Sequence, residues 1–252
     1  MSMRIATYNI YFGGMGREPL IADVLQVIAA DAVVLTEAGN RAVVERIAHI
    51  LGMEHVIAAG QRTSIAVLSR FPVISSEVFM PGWLKRPLLA ATLRVSDQFQ
   101  ATLYGLHLQP HYMRRDENRR VREIRAYLHH VVQRRPGAHL LLGDFNAIAP
   151  GDTIKRSVLP LKEKVVLWWQ RGQLHGDAIT LMLRGGYTDC FRTLHPGAEG
   201  FTVPVDKPKV RLDYIFADPS MRERLKTCDV VTQPAETRKA SDHFPLFADF
   251  EI

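Results

Sequence analysis

His139-Leu140-Leu141-Leu142-Gly143-Asp144-Phe145-Asn146 is an apolar run that stops on a carboxylate and a carboxamide. A continuous apolar run of this length suits a strand covered on both faces, so its polar end must meet something other than bulk core. Two more runs end the same way. Met3-Arg4-Ile5-Ala6 leads into Thr7-Tyr8-Asn9, and Ala32-Val33-Val34-Leu35 leads into Thr36-Glu37. Near the C-terminus Ser241-Asp242-His243 precedes the last apolar run, and Arg211-Leu212-Asp213-Tyr214-Ile215-Phe216 carries an aspartate within a strand pattern. Oxygen donors at strand ends suit a hard divalent cation such as Mg²⁺ or Mn²⁺. A nearby imidazole can take a proton from water near neutral pH. Each fragment alone has an ordinary reading: an Asp-His pair in a loop is a solvated turn, and an Asn after a strand is turn chemistry.

The pattern between these fragments mixes the two periods. Residues 3–10, 32–36, 55–59, 63–69, 73–79, 88–95, 99–108, 138–142, 211–217, 228–232 and 244–250 read as strands. Residues 19–30, 41–51 and 116–133 repeat apolar positions at helical spacing, and 220–226 reads as a short helix. Pro19 suits a first helical turn and Gly52 a helix stop. Five strand runs in succession between 55 and 108 imply antiparallel hairpins. Periodicity alone gives a mixed α and β chain.

The length of 252 residues fits one large domain, since the motifs run from end to end, and 47% hydrophobic residues suffice for a core. Cys190 and Cys228 are too few for a disulfide framework and have no metal-type neighbours. No secretory pattern and no membrane-length apolar run is visible, so a soluble cytoplasmic protein is expected. The net charge of +6 is compatible with a polyanionic substrate, although many basic proteins bind none.

The ordered set resembles the endonuclease/exonuclease/phosphatase superfamily. It runs from Asn9 and Glu37, through His107 in Tyr104-Gly105-Leu106-His107-Leu108, to Gly143-Asp144-Phe145-Asn146, Asp213-Tyr214-Ile215-Phe216 and Ser241-Asp242-His243. The likeness covers nearly the whole chain. It implies an α/β fold, a four-layer α/β/β/α sandwich with two central mixed sheets, as one catalytic domain over 1–252. It also implies a Mg²⁺- or Mn²⁺-dependent phosphoester hydrolase, a phosphodiesterase or nuclease in the first instance. A lipid or inositol-phosphate phosphoesterase of the same fold is the alternative, and a binding module that has lost its chemistry is a further one. The expected partner is a phosphoester substrate, with nucleic acid among the candidates. Neither stable membrane insertion nor an obligate protein partner is expected.

The same resemblance assigns the roles. Glu37 is the principal metal ligand, Asn9 a neutral co-ligand through its amide oxygen, and Asp242 a further ligand. His243 is the general base and Asp213 the carboxylate that orients it. Asp144 orients the water or protonates the leaving oxygen, Asn146 donates through its amide, and His107 donates to a phosphoryl oxygen. Pairing with His243 would also resolve the otherwise costly burial of Asp213.

Substrate contacts are expected from Arg114 and Arg115, at the start of a basic run whose bland reading is a solvated helix face, and more weakly from Arg211. Residues 152–176 read as an insertion. Its cations Lys155, Arg156, Lys162, Lys164 and Arg171 and its pair Trp168-Trp169 make it a candidate wall of the substrate cleft. The competing reading makes the tryptophans core anchors. Val78-Phe79-Met80-Pro81-Gly82-Trp83-Leu84 is the nearest thing to a membrane-inserting hairpin, which keeps lipid substrates open.

Overall fold

The computed structural model describes residues 2–134, 137–169 and 174–252. In chain order the first half contains β1 (Ser2–Asn9), α1 (Glu18–Ile28), β2 (Ala32–Thr36), α2 (Arg41–Leu51), β3 (Glu54–Ala58), β4 (Ile65–Ser69), β5 (Val73–Phe79), β6 (Leu88–Arg94) and β7 (Gln100–His107). The second half contains α3 (Arg114–Arg134), β8 (His139–Asp144), α4 (Leu161–Trp169), α5 (Asp177–Arg184), β9 (Thr188–Asp189), α6 (Cys190–Leu194), β10 (Asp213–Ala217), α7 (Pro219–Arg222), β11 (Leu225–Val230), α8 (Thr237–Ala240) and β12 (Leu246–Glu251).

Local chemistry explains the main boundaries. Pro19 occupies the first turn of α1, where its missing N–H costs nothing. Asn40 caps α2 by accepting from Val43 N, and Gly52 ends it in the left-handed conformation. β2, β4 and β8 are buried at every position, as their unbroken apolar runs require.

Two six-stranded sheets result, ordered β11-β12-β1-β2-β4-β3 and β5-β6-β7-β8-β10-β9. Each has one parallel pair at its centre, β1 with β2 and β7 with β8, among antiparallel neighbours. Their inner faces share one core, in which Met3, Ile5, Val34 and Val67 of the first sheet meet Leu89, Leu93, Leu103, Leu142 and Ile215 of the second. α1 and α2 cover the outside of the first sheet through Ile21, Leu25, Val44 and Ile47. α3 and α5 cover the outside of the second through Ile124, Tyr127, Ile179 and Met182. The four layers are therefore helix, sheet, sheet, helix.

Several expectations need correction. α3 begins at Arg114 rather than at 116, so Arg114 and Arg115 belong to the helix. α7 ends at Arg222 and β11 begins at Leu225, because Asp218 caps the short helix and the chain turns at once into the sheet edge. α4, α5, α6 and α8 were not foreseen, and all four are short.

Candidate active site

Strand register gathers the polar fragments at one edge of the sandwich. Asn9 ends β1 opposite Thr36 of β2, so Glu37 follows beside it. His107 ends β7 opposite Asp144, which ends β8. Asp213 begins the antiparallel β10 opposite Asp144. β12 runs antiparallel to β1, with Leu246 opposite Thr7, so His243 just before it falls at the same edge. Ser241 Oγ fixes this last piece by donating to Asn9 O at 2.6 Å while accepting from His243 N at 3.3 Å.

Two backbone features serve the turns. Gly143 lies at φ +143°, and a Cβ there would sit 1.9 Å from Leu106 O, so only glycine lets β8 run against β7. Glu37 (φ 56°) and Asn146 (φ 48°) are left-handed without being glycine. Such residues typically cost about 1–3 kcal/mol each and cluster where the chain is built for a task.

The side chains form one network. His243 Nδ1 lies 2.7 Å from Asp213 Oδ2, both groups buried, and His243 Nε2 lies 4.0 Å from Asp144 Oδ2. His107 Nε2 reaches the same Asp144 oxygen at 3.8 Å, and its Nδ1 meets Thr63 Oγ1 at 3.2 Å. Asn9 Nδ2 donates to Asp144 Oδ2 (3.1 Å) and Glu37 Oε1 (3.3 Å). Asp144 Oδ1 accepts from Asn146 N at 2.8 Å, and Asn146 Nδ2 donates to Leu108 O at 3.2 Å. Glu37 Oε2 accepts from Phe12 N at 2.7 Å. These groups open on a cavity of about 610 Å³ lined also by Phe12, Met15, Thr63 and Arg86.

The charge balance is lopsided. Burial, then the neighbouring Asp213 charge, pushes the Asp144 carboxyl up to about 7. Burial works against the charged His243 ring, but Asp213, Asp144 and Asp242 outweigh it and hold the ring up at about 10. Burial raises Asp242 too, with Glu37 and Asp213 adding to it. His107 goes the other way: burial, helped by Arg86 and His243, brings it down to about 4.

This site fits a divalent cation. Carboxylates raised together by burial and mutual repulsion are what a cation relieves. Asp213 Oδ1 is buried and has no hydrogen-bond partner among the described residues. Asp144, Asp213 and His243 offer ligand atoms within 4.8 Å of one another. That cluster does not include Glu37 and so differs from the set expected from sequence. The 2.7 Å Asp213–His243 contact has the length of a charge-assisted hydrogen bond, which competes with cation binding by those two groups.

Asn9 departs from its expected role. Its amide oxygen accepts from Tyr11 N at 3.0 Å, so its nitrogen, not its oxygen, faces the carboxylates. Arg211 departs more. It is 1% exposed, bidentate to Asp189 (3.0 and 2.7 Å) and bonded to Asp152 at 2.9 Å, and cannot face a substrate. It roots the 152–176 segment instead. Arg114 is on the surface, paired with Asp177 Oδ2 at 2.5 Å. Arg115 lines a groove beside this cavity. Trp168 and Trp169 are 77% and 74% exposed, so they are not core anchors. Neither lines the cavity at the site or that groove, and Arg171 lies outside the described residues. In the 78–84 stretch Leu84 is buried, Val78 and Trp83 are 47% and 61% exposed, and Lys85 follows at the surface.

Arg86, Thr63, Phe12 and Met15 were missed. Lys85-Arg86 after Trp83-Leu84 was a visible basic pair in a turn. Phe12 and Met15, 77% and 70% exposed, were legible only as an apolar stretch interrupted by glycines.

Known proteins share this architecture. An AP endonuclease from Archaeoglobus fulgidus superposes with a TM-score of 0.79 at 19% identity, covering 99% of this chain and 100% of its own. The 3′ phosphatase NExo from Neisseria, bound to a product DNA hairpin, gives 0.72 at 22% identity, covering 99% and 100%. An endonuclease/exonuclease/phosphatase from Beutenbergia cavernae gives 0.71 at 21%, covering 100% of this chain and 72% of its own. At these identities the likeness speaks to fold. No curated protein matches the chain by sequence. The family profile, however, spans residues 6–243, reaching from the strand before Asn9 to His243 itself, and on that ground the chain belongs to the Endonuclease/Exonuclease/phosphatase family.

Proposed function

We propose that this protein is a divalent-metal-dependent phosphoester hydrolase that activates water through His243, with nucleic acid as the first substrate class to test. The observation that carries this reading is the 2.7 Å Asp213–His243 hydrogen bond beside Asp144 at the floor of the cavity. Asp213 fixes the ring so that Nδ1 carries the proton and Nε2 faces the cavity. Once a cation offsets the neighbouring carboxylate charges that hold the ring up, Nε2 would be free to take a proton from water as the water oxygen bonds to phosphorus and the ester P–O bond opposite breaks. Asp144, raised to about 7, is tuned to return a proton to the leaving oxygen. His107, neutral at physiological pH and steadied by Thr63, can donate to a phosphoryl oxygen. Glu37 and Asp242 would hold the cation. When bound, it supplies positive charge against these carboxylates and the phosphoryl oxygens. The DNA-bound phosphatase and the AP endonuclease among the similar structures support nucleic acid as the starting point.

The test is hydrolysis of bis-p-nitrophenyl phosphate with Mg²⁺ or Mn²⁺ against EDTA, followed by abasic, single-stranded and 3′-phosphorylated DNA. Metal-dependent turnover lost in His243→Gln is expected. Turnover that survives both EDTA and His243→Gln would overturn the reading.

A further inference from the structure

A second groove, of about 660 Å³, adjoins the catalytic cavity, and Arg62, Arg86 and Pro110 line both. One wall is α3. Arg115, Arg119 and Arg122 stand four and three residues apart and so share one helix face. The facing wall is the 80–87 turn with Trp83, 61% exposed, and Lys85. Arg62 joins it, its backbone N–H donating to Lys85 O at 3.2 Å. The walls are built rather than incidental. Tyr127 of α3 donates its hydroxyl to Arg86 O at 2.9 Å. Buried Arg120 donates to Gln109 O and His111 O, both at 2.7 Å.

The charge is one-sided. Six cations face two carboxylates, Asp116 and Glu123, and both carboxylates are buried and already hydrogen-bonded. Arg62, Lys85, Arg115, Arg119 and Arg122 are exposed, and among the described residues no ion pair engages them. At the junction of the two cavities Arg86 is 8% exposed. Its Nη1 donates to Gln109 Oε1 at 2.9 Å and lies 3.5 Å from Glu123 Oε1, while its buried Nε has no partner among the described residues. Arg86 lines both cavities, so its guanidinium puts positive charge at their junction, where an anion would pass between them.

We propose that this groove binds single-stranded nucleic acid flanking the scissile phosphoester. The arginine face meets the backbone phosphates and Trp83 stacks on a base. A groove within the range of about 300–1,000 Å³ that holds whole ligands exceeds what one phosphate needs. Cations interleaved with an exposed aromatic are the means by which proteins hold single strands without reading their sequence. The assignment rests on the hydrolase reading for its direction, because the strand runs out of the catalytic cavity through Arg62 and Arg86.

The experiment is fluorescence anisotropy with labelled oligothymidylate in EDTA, so that binding is read without turnover. Arg119→Ser with Arg122→Ser is expected to bind at least about tenfold more weakly and to lower the salt slope by about 1.4, near 0.7 per lost phosphate contact. Trp83→Ala is expected to lose about fivefold or more. With metal present, the paired arginine variant should lose at least about tenfold more rate on an oligonucleotide than on bis-p-nitrophenyl phosphate. Lys85→Ser, on the opposite wall, gives the same reading should the helix variant fail to keep its melting temperature. Unchanged oligonucleotide affinity in the arginine and lysine variants would overturn the proposal. So would Trp83→Ala without effect while inorganic polyphosphate competes as well as the oligonucleotide, which would make the groove a plain anion trap. An unmodified protein that binds the strand as expected but hydrolyses nothing would count against the hydrolase reading alone.

Discussion

His243 sits between opposed influences, and their sum is testable. Its folded pKa of about 10 stands above the ordinary value of 6.5, because Asp213 outweighs burial. A raised folded pKa contributes stability that is fully present below about pH 6.5 and is lost as pH rises through about 10. In Asp213→Asn the largest attraction is gone and burial remains, so the ring should titrate well below its present value. An NMR pH titration of the ring measures this, and a ring still titrating near 10 would refute the pairing as its cause. The same variant should lose about 10²–10⁴-fold in kcat. Glu37→Gln removes one carboxylate charge while keeping the shape that accepts from Phe12 N. It should weaken Mg²⁺ binding by at least about tenfold in calorimetry, and unchanged affinity would remove Glu37 from the ligand set. These residues were legible because each ends or begins an apolar run. Arg211 was misread because its partners Asp189 and Asp152 lie 22 and 59 residues away, and sequence neighbours gave no sign of them. Arg86 was missed because only the folded 80–87 turn aims it at the site.

Glycines decide whether the strands that carry these residues can approach. Gly143 lets β8 lie against Leu106 O, and Gly105 of β7 faces Val34 and Ile65 of the other sheet, where a Cβ would fall 2.9 and 2.8 Å from their methyl carbons. Gly143→Ala must move backbone, and should cost at least about 2 kcal/mol, a melting-temperature fall of about 4–8 °C for a chain of this size. Activity should fall with it, since the shift acts on His107 and Asp144 together. A melting temperature within about 1 °C of the unmodified protein would refute the clash. α4 gives the converse case. With both tryptophans exposed, Trp168→Ala with Trp169→Ala should leave the melting temperature within about 2 °C, as surface substitutions usually do. A larger fall would restore the core-anchor reading. The long strands and α1–α3 were readable from period and breakers. The short helices between 156 and 194 and at 237–240 were not, since elements of at most nine residues carry too few apolar repeats to stand out.

At the scale of the molecule, neither sheet holds a site alone. Asn9, Glu37 and His243 belong to the strands and turns of the first sheet, and His107, Asp144 and Asp213 to those of the second. The apolar core between the sheets brings these two sets together, and the carboxylates among them repel. Folding therefore assembles a charge conflict at one edge, visible in the raised Asp144 and Asp242, and the shared core must hold it closed. A cation bound across that edge relieves the conflict only in the folded state, so it must stabilise the fold by mass action. At a concentration of about 100 times Kd the gain is about 2.7 kcal/mol. For a chain of this size that is a rise in melting temperature of about 5–10 °C. Mg²⁺ and Mn²⁺ should each produce it in a thermal-shift assay, EDTA should reverse it, and Glu37→Gln should blunt it without abolishing the fold. A melting curve indifferent to both ions would mean that the carboxylates resolve their conflict by sharing protons, and the cation would lose its structural basis.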